Sequence, residues 1–194
     1  MQAQRTPTRS QSEASRAGLT MIELMISIVI LSVATFILSS TVTATVTHSI
    51  TKAEKTRAVE AAMNKIEEIR ALPQEDIFAL YNGVAKDDPY GPGSAPGSLF
   101  SVPGLDPRMD PNGNPVSVGR VLLPGTDGIL DETAVQPEFG LPRDLNGNLV
   151  IESGDVSDSY LVLPLIVRIE WNGRLGTRSF EMATMLADLA KWQE

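Results

Sequence analysis

The chain has 194 residues and 42% hydrophobic content, enough for one folded domain plus an anchor. It has no cysteine and one histidine, His48, which excludes disulfides, thiolate metal sites and chemistry built on several histidines. Residues 1–18 set Arg5, Arg9 and Arg16 against Glu13, so of a net charge of −8 the remainder bears −10, a poor surface for phosphate backbones. No nucleic-acid partner is expected.

Residues 1–18 are polar and basic without periodicity and read as a disordered leader. Leu19–Leu38 is almost wholly apolar, and about 20 residues at 1.5 Å each span a bilayer. Arginines before it predict a cytoplasmic N-terminus and a single pass. A secretory signal fits poorly, because "SSTVTATVTHS" comes next instead of a small-residue cleavage site. That Ser/Thr stretch has weak helix propensity and is where the helix is expected to loosen. Glu23 stands out, since a carboxylate at mid-bilayer is disfavoured by roughly 2.5–3.5 kcal/mol.

Beyond Lys52 the pattern becomes an amphipathic helix, with Val59, Ala62, Ile66 and Ile69 at one-face spacing and Pro73 as its stop. The expected segments are a leader at 1–18, the transmembrane part of a long helix at 19–50, its amphipathic part at 51–73 and a head at 74–194. Residues 82–147 hold 11 of 15 glycines and 10 of 13 prolines and predict loops, with one strand at Val116–Leu123. Tyr160–Trp171 alternates apolar and polar residues, putting Leu165, Val167, Ile169 and Trp171 on one face. Asn172-Gly173 then predicts a hairpin turn into Arg174–Leu186, and Pro164 predicts an edge or a bulge. The fold class is α+β: a long N-terminal helix, transmembrane then amphipathic, packed on a small antiparallel sheet with a C-terminal hairpin at 160–186.

"RAG" before "LTMIE" (Arg16–Glu23) resembles the class III leader of type IV prepilins and of type II secretion pseudopilins. "AAMNKIEEIRALP" and "VRIEWNGRLGTRSFEMATML" are similar to the helix end and terminal hairpin of the minor members of that family. The resemblance implies cleavage between Gly18 and Leu19 by a prepilin peptidase, and N-methylation of Leu19. It further implies storage in the inner membrane with a periplasmic head, and entry through an assembly platform into a pilus or pseudopilus with other pilin subunits. The physical logic agrees. Cleavage creates an amine at Leu19 one helical turn before Glu23, and in staggered helices Glu23 of one subunit can meet the amine of the next. A signal-anchored interaction protein that is neither processed nor assembled is the alternative reading.

"DLNGNLVIESGD" offers oxygens at calcium-loop spacing: Asp144, Asn146, Asn148, the Val150 carbonyl, Glu152 and Asp155. Leu149 stands where such loops turn on glycine, so the stretch reads either as a weak Ca²⁺ site or as an Asx-rich hairpin. "DPNGNP" (Asp110–Pro115) reads as a turn. No nucleophile elbow, metal-protease or phosphate-loop motif occurs, and Asp87-Asp88 is expected to face solvent, so no enzyme is predicted.

Overall fold

The computed structural model describes residues 20–187. Gly18 and Leu19, the residues of the expected cleavage, lie with residues 1–17 outside the described residues. The chain divides into two compact units, the first ending at Val46 and the second beginning at Thr47.

Helix α1 runs Met21–Arg70 through both stretches assigned to it. The Ser/Thr segment does not loosen it. Thr41, Thr43 and Thr45 donate to the carbonyls of Ile37, Ser39 and Thr41 at 2.9, 3.0 and 2.9 Å, so their hydroxyls are satisfied inside the helix instead of competing with it. In the second unit the buried face of α1 is Ala58, Ala62, Ile66 and Ile69. Ala58 replaces the expected Val59, which is half-buried, because a four-residue step from Ala62 keeps the row on one face.

Pro73 does more than stop a helix. It ends the α1 region and, with φ fixed at −56°, caps a second helix, α2 (Gln74–Tyr81), which sequence reasoning left inside the head. Ile77, Phe78, Leu80 and Tyr81 of α2 are buried. Tyr160 pins it by donating its hydroxyl to the Gln74 carbonyl and accepting the Phe78 N–H at 3.3 Å. Burial pushes the Tyr160 phenol up to about 12, the nearby Asp76 and Glu75 adding to the rise.

Short strands β1 (Leu99–Phe100), β2 (Arg108–Met109), β3 (Pro115–Val116) and β4 (Gly119–Leu122) come next. The one strand expected at 116–123 is thus two: β3 pairs with β2, and β4 joins the main sheet. A 3-10 turn, Pro137–Phe139, precedes β5 (Val162–Gly173) and β6 (Gly176–Ala187). The main sheet has the antiparallel order β1-β4-β5-β6. Leu165, Val167, Ile169 and Trp171 form the buried row as their alternation implies.

Two details of the hairpin differ from expectation. Gly173 pairs with Gly176, so the turn is Arg174-Leu175 and Asn172-Gly173 belongs to the strand. The positive φ comes from Gly176, at 103°, immediately after the turn. Pro164 sits in a strand that is central in the sheet order. Yet β4 ends at Leu122 opposite Ile166, so β5 has only β6 as a partner at Pro164 and is locally an edge.

Candidate functional site: the start of helix α1

Glu23 lies in the first turn of α1, where the helix dipole favours a carboxylate, and it is exposed. Thr20 caps this turn. Its Oγ1 accepts the Glu23 N–H at 3.3 Å and its carbonyl accepts the Leu24 N–H at 3.1 Å. Thr20-Met21-Ile22-Glu23 is therefore the sequence of a capping box. Sequence reasoning treated the glutamate alone and missed this threonine, although the spacing was there to be read. Ser27 Oγ donates to the Glu23 carbonyl at 2.7 Å, so its hydroxyl is satisfied within the helix.

Around and after these turns the apolar stretch of the helix is uncovered among the described residues. No residue in the most apolar 18-residue window of α1 is buried. Ile22, Leu24, Ile30, Leu31 and Phe36 are between 52 and 75% exposed. By length and composition α1 can cross a membrane. His48 is exposed on the same helix.

The first half of the Asp144–Asp155 segment is a run of Asx turns. Asp144 accepts the N–H groups of Gly147 at 2.7 Å and Leu149 at 2.8 Å, one on each carboxylate oxygen. Asn146 and Asn148 accept from Asn148 and Val150 at 3.0 and 2.8 Å. Leu149 takes the turn itself, at φ 69°, where a calcium loop has glycine. The other half goes elsewhere. Glu152 accepts from Asn148 Nδ2 at 2.9 Å, while Asp155 accepts the N–H groups of Leu130 and Ser157 at 3.1 and 3.0 Å. Partial burial would raise the Asp155 pKa, but those two donors hold it below the usual range. Among the described residues no three acidic or histidine side chains form a group that could hold a metal ion.

Two buried carboxylates were not legible in the sequence. Glu132 is fully buried and clamps the same loop, its Oε1 accepting from Leu145 and Asn146 at 2.7 and 3.1 Å and its Oε2 from Glu152 at 3.4 Å. Asp88, expected to face solvent, is 9% exposed and accepts the N–H groups of Gly93 and Ala95, so it shapes the glycine-rich loop around it. A carboxylate can be buried when several backbone donors converge on it, and such convergence depends on loops whose path the sequence does not announce.

No curated protein and no solved structure matches the chain. Residues 14–39 match the family described as the prokaryotic N-terminal methylation motif, a span covering the leader's end, Thr20, Glu23 and the first turns of the uncovered helix. Proteins with this motif are typically structural, are processed by a prepilin peptidase and assemble with other pilins. The motif is the hallmark of type IV prepilins and pseudopilins, and this chain carries it at the start of an apolar N-terminal helix long enough to cross a membrane.

Proposed function

We propose that the chain is a minor pilin or pseudopilin, a structural subunit that enters a type IV pilus or a type II secretion pseudopilus from the inner membrane. The observation that carries this reading is the coincidence of the methylation motif at 14–39 with a helix whose apolar surface no described residue covers. Before assembly lipid covers that surface, and afterwards the helices of neighbouring subunits do. In this reading the peptidase cuts between Gly18 and Leu19, Leu19 is methylated, and the head lies on the periplasmic side of a single pass. Glu23 then pairs with the Leu19 amine of the next subunit, each charge offsetting the other's desolvation and selecting one axial stagger.

Intact mass and N-terminal analysis of the membrane-extracted protein, with and without its host's prepilin peptidase, tests the reading. A peptidase-dependent chain beginning at Leu19 is expected. Retention of residues 1–18 under both conditions would make this an unprocessed signal-anchored protein. Glu23→Ala is expected to leave cleavage largely intact and to lower incorporation into filaments at least tenfold, about 1.4 kcal/mol of lost coupling. Incorporation at the wild-type level would remove the pairing argument.

A further inference from the structure

The head is acidic overall, yet four of its cations gather at one end. Lys52 and Lys55 lie on α1, Arg174 at the turn of the β5–β6 hairpin and Arg178 on β6. Gly173 marks how close these elements come: a Cβ there would lie 2.7 Å from Glu54 Oε2 on the helix and 3.1 Å from Arg178 Cδ on the hairpin. Lys55, Arg178, Ser179, Trp171 and Phe180 line a cavity of about 240 Å³. The Nε of Arg178 is buried with no hydrogen-bond partner among the described residues.

Elsewhere Arg57, Lys86, Arg120 and Arg143 also lack a carboxylate within 4.0 Å among the described residues, while four other cations have one. Lys65 pairs with Glu68 at 2.7 Å, Arg70 with Glu67 at 2.8 Å, Arg108 with Glu170 at 3.3 Å and Arg168 with Glu181 at 2.6 Å. None of Lys52, Lys55, Arg174 and Arg178 has a carboxylate within 4.0 Å among the described residues, and the nearby Glu54 is taken up by the Trp171 indole N–H at 3.2 Å. A buried guanidinium N–H without an acceptor is costly unless an anion supplies one.

We infer that this end of the head is a binding site for the phosphate of an anionic phospholipid headgroup. The inference rests on the membrane-anchored reading above. Three features favour a headgroup. The cavity has room for one phosphate between two cations and two aromatic rings. Lys52 and Lys55 directly follow residues 19–50, the stretch assigned to the bilayer, so before assembly a lipid surface adjoins them along the chain. They also stand on the flank which, with a cytoplasmic N-terminus, is translocated and where cations are depleted, so their presence there calls for a use. At the turn, Leu175 is 65% exposed and adds an apolar contact for the interface.

The test uses the full chain, with Trp192→Phe so that Trp171 is the sole indole reporter, in nanodiscs of phosphatidylcholine alone or with phosphatidylglycerol. Co-elution with the discs reports anchoring separately from headgroup binding. Anionic discs are expected to slow amide exchange across 171–179 several-fold and to shift Trp171 emission, with both effects lost on adding salt. Lys55→Gln with Arg178→Gln should abolish the difference, and Lys55→Arg with Arg178→Lys should keep it while showing that the site tolerates substitution. Equal exchange in neutral and anionic discs would overturn the inference. So would the same protection from inorganic phosphate in neutral discs, which would mark a free-anion site. Protection that instead grows with the number of protein copies per disc would assign the cations to the acidic face of a neighbouring subunit and equally overturn it.

Discussion

Helix α1 holds two regions that look alike as secondary structure and differ in what stabilises them. Through its first unit the apolar side chains are exposed on every side, Ile30 to 63%. In the second unit one row is sealed, and Ile69 is 0% exposed. The same residue type on the same helix therefore serves two purposes. Ile69 contributes to folding, while Ile30 contributes nothing until lipid or another subunit covers it. Under the proposed function, this division suits a subunit that exchanges one apolar environment for another without unfolding its head.

A matched pair of substitutions would break the comparison if it is wrong. Ile69→Ala is expected to destabilise the head by about 2–5 kcal/mol, the transfer and cavity cost of a fully buried isoleucine. Ile30→Ala should leave head stability unchanged. Denaturant unfolding of the purified full chain in detergent, monitored by near-ultraviolet circular dichroism, measures both. A comparable loss from Ile30→Ala would mean that the first unit contributes to the stability of the head.

The contrast also explains how much the sequence disclosed. Long regular segments were legible because their periodicity repeats many times: the apolar run, the Ala62–Ile69 row, and the Leu165–Trp171 alternation opposite β6. The Asn172-Gly173 turn was misplaced by two residues, because Gly176 can also supply the positive φ and the strand register, not the dipeptide, decides. Helix α2 is only two turns long, too short for a period to declare itself, and Pro73 was read as a stop alone. In the site, Glu23 was conspicuous as a charge in an apolar run, whereas its cap Thr20 was not. Glu132 and the Lys55–Arg178 cavity join residues distant in sequence, and no local pattern carries such information.

A second prediction sharpens the comparison from the side of the head, where polar groups as well as apolar ones are sealed. Tyr160 ionises at its ordinary 10.0 when unfolded and at about 12 when folded. Between those values the folded chain keeps a proton that the unfolded chain has lost. Stability is therefore full below pH 10 and falls above it at up to about 1.4 kcal/mol per pH unit, by about 2 kcal/mol in all at pH 12. Tyr81, raised by burial against the opposing pull of Lys65, adds a change of the same sign. Unfolding curves at pH 9, 10 and 11 should show this decline, and Tyr160→Phe should flatten it after an initial cost of about 1–2 kcal/mol for the lost bonds to Gln74 and Phe78. An undiminished decline in that variant would place the titration elsewhere.

The smallest expected effect concerns a place where the head, like the first unit of α1, leaves an apolar side chain in the open. Leu149 is 92% exposed, so its size contributes no burial, yet its backbone is held at φ 69° by the Asp144 carboxylate. That conformation costs a leucine about 1–2 kcal/mol, and glycine returns part of this through its greater freedom when unfolded. Leu149→Gly should therefore stabilise the head by about 0.5–1 kcal/mol. The same variant separates the two readings of the loop. As an Asx-rich hairpin, held by Asp144, Asn146, Asn148 and the buried Glu132, it should melt at one temperature whether calcium or a chelator is present. As a weak calcium loop it would gain about 0.4 kcal/mol when calcium equals its dissociation constant, and more in the variant, where glycine restores the residue that the loop's turn calls for. With Asp155 and Glu152 committed to other donors, the expected outcome is stabilisation by glycine and indifference to calcium. A saturable calcium shift, enlarged by Leu149→Gly, would assign the loop to the ion instead.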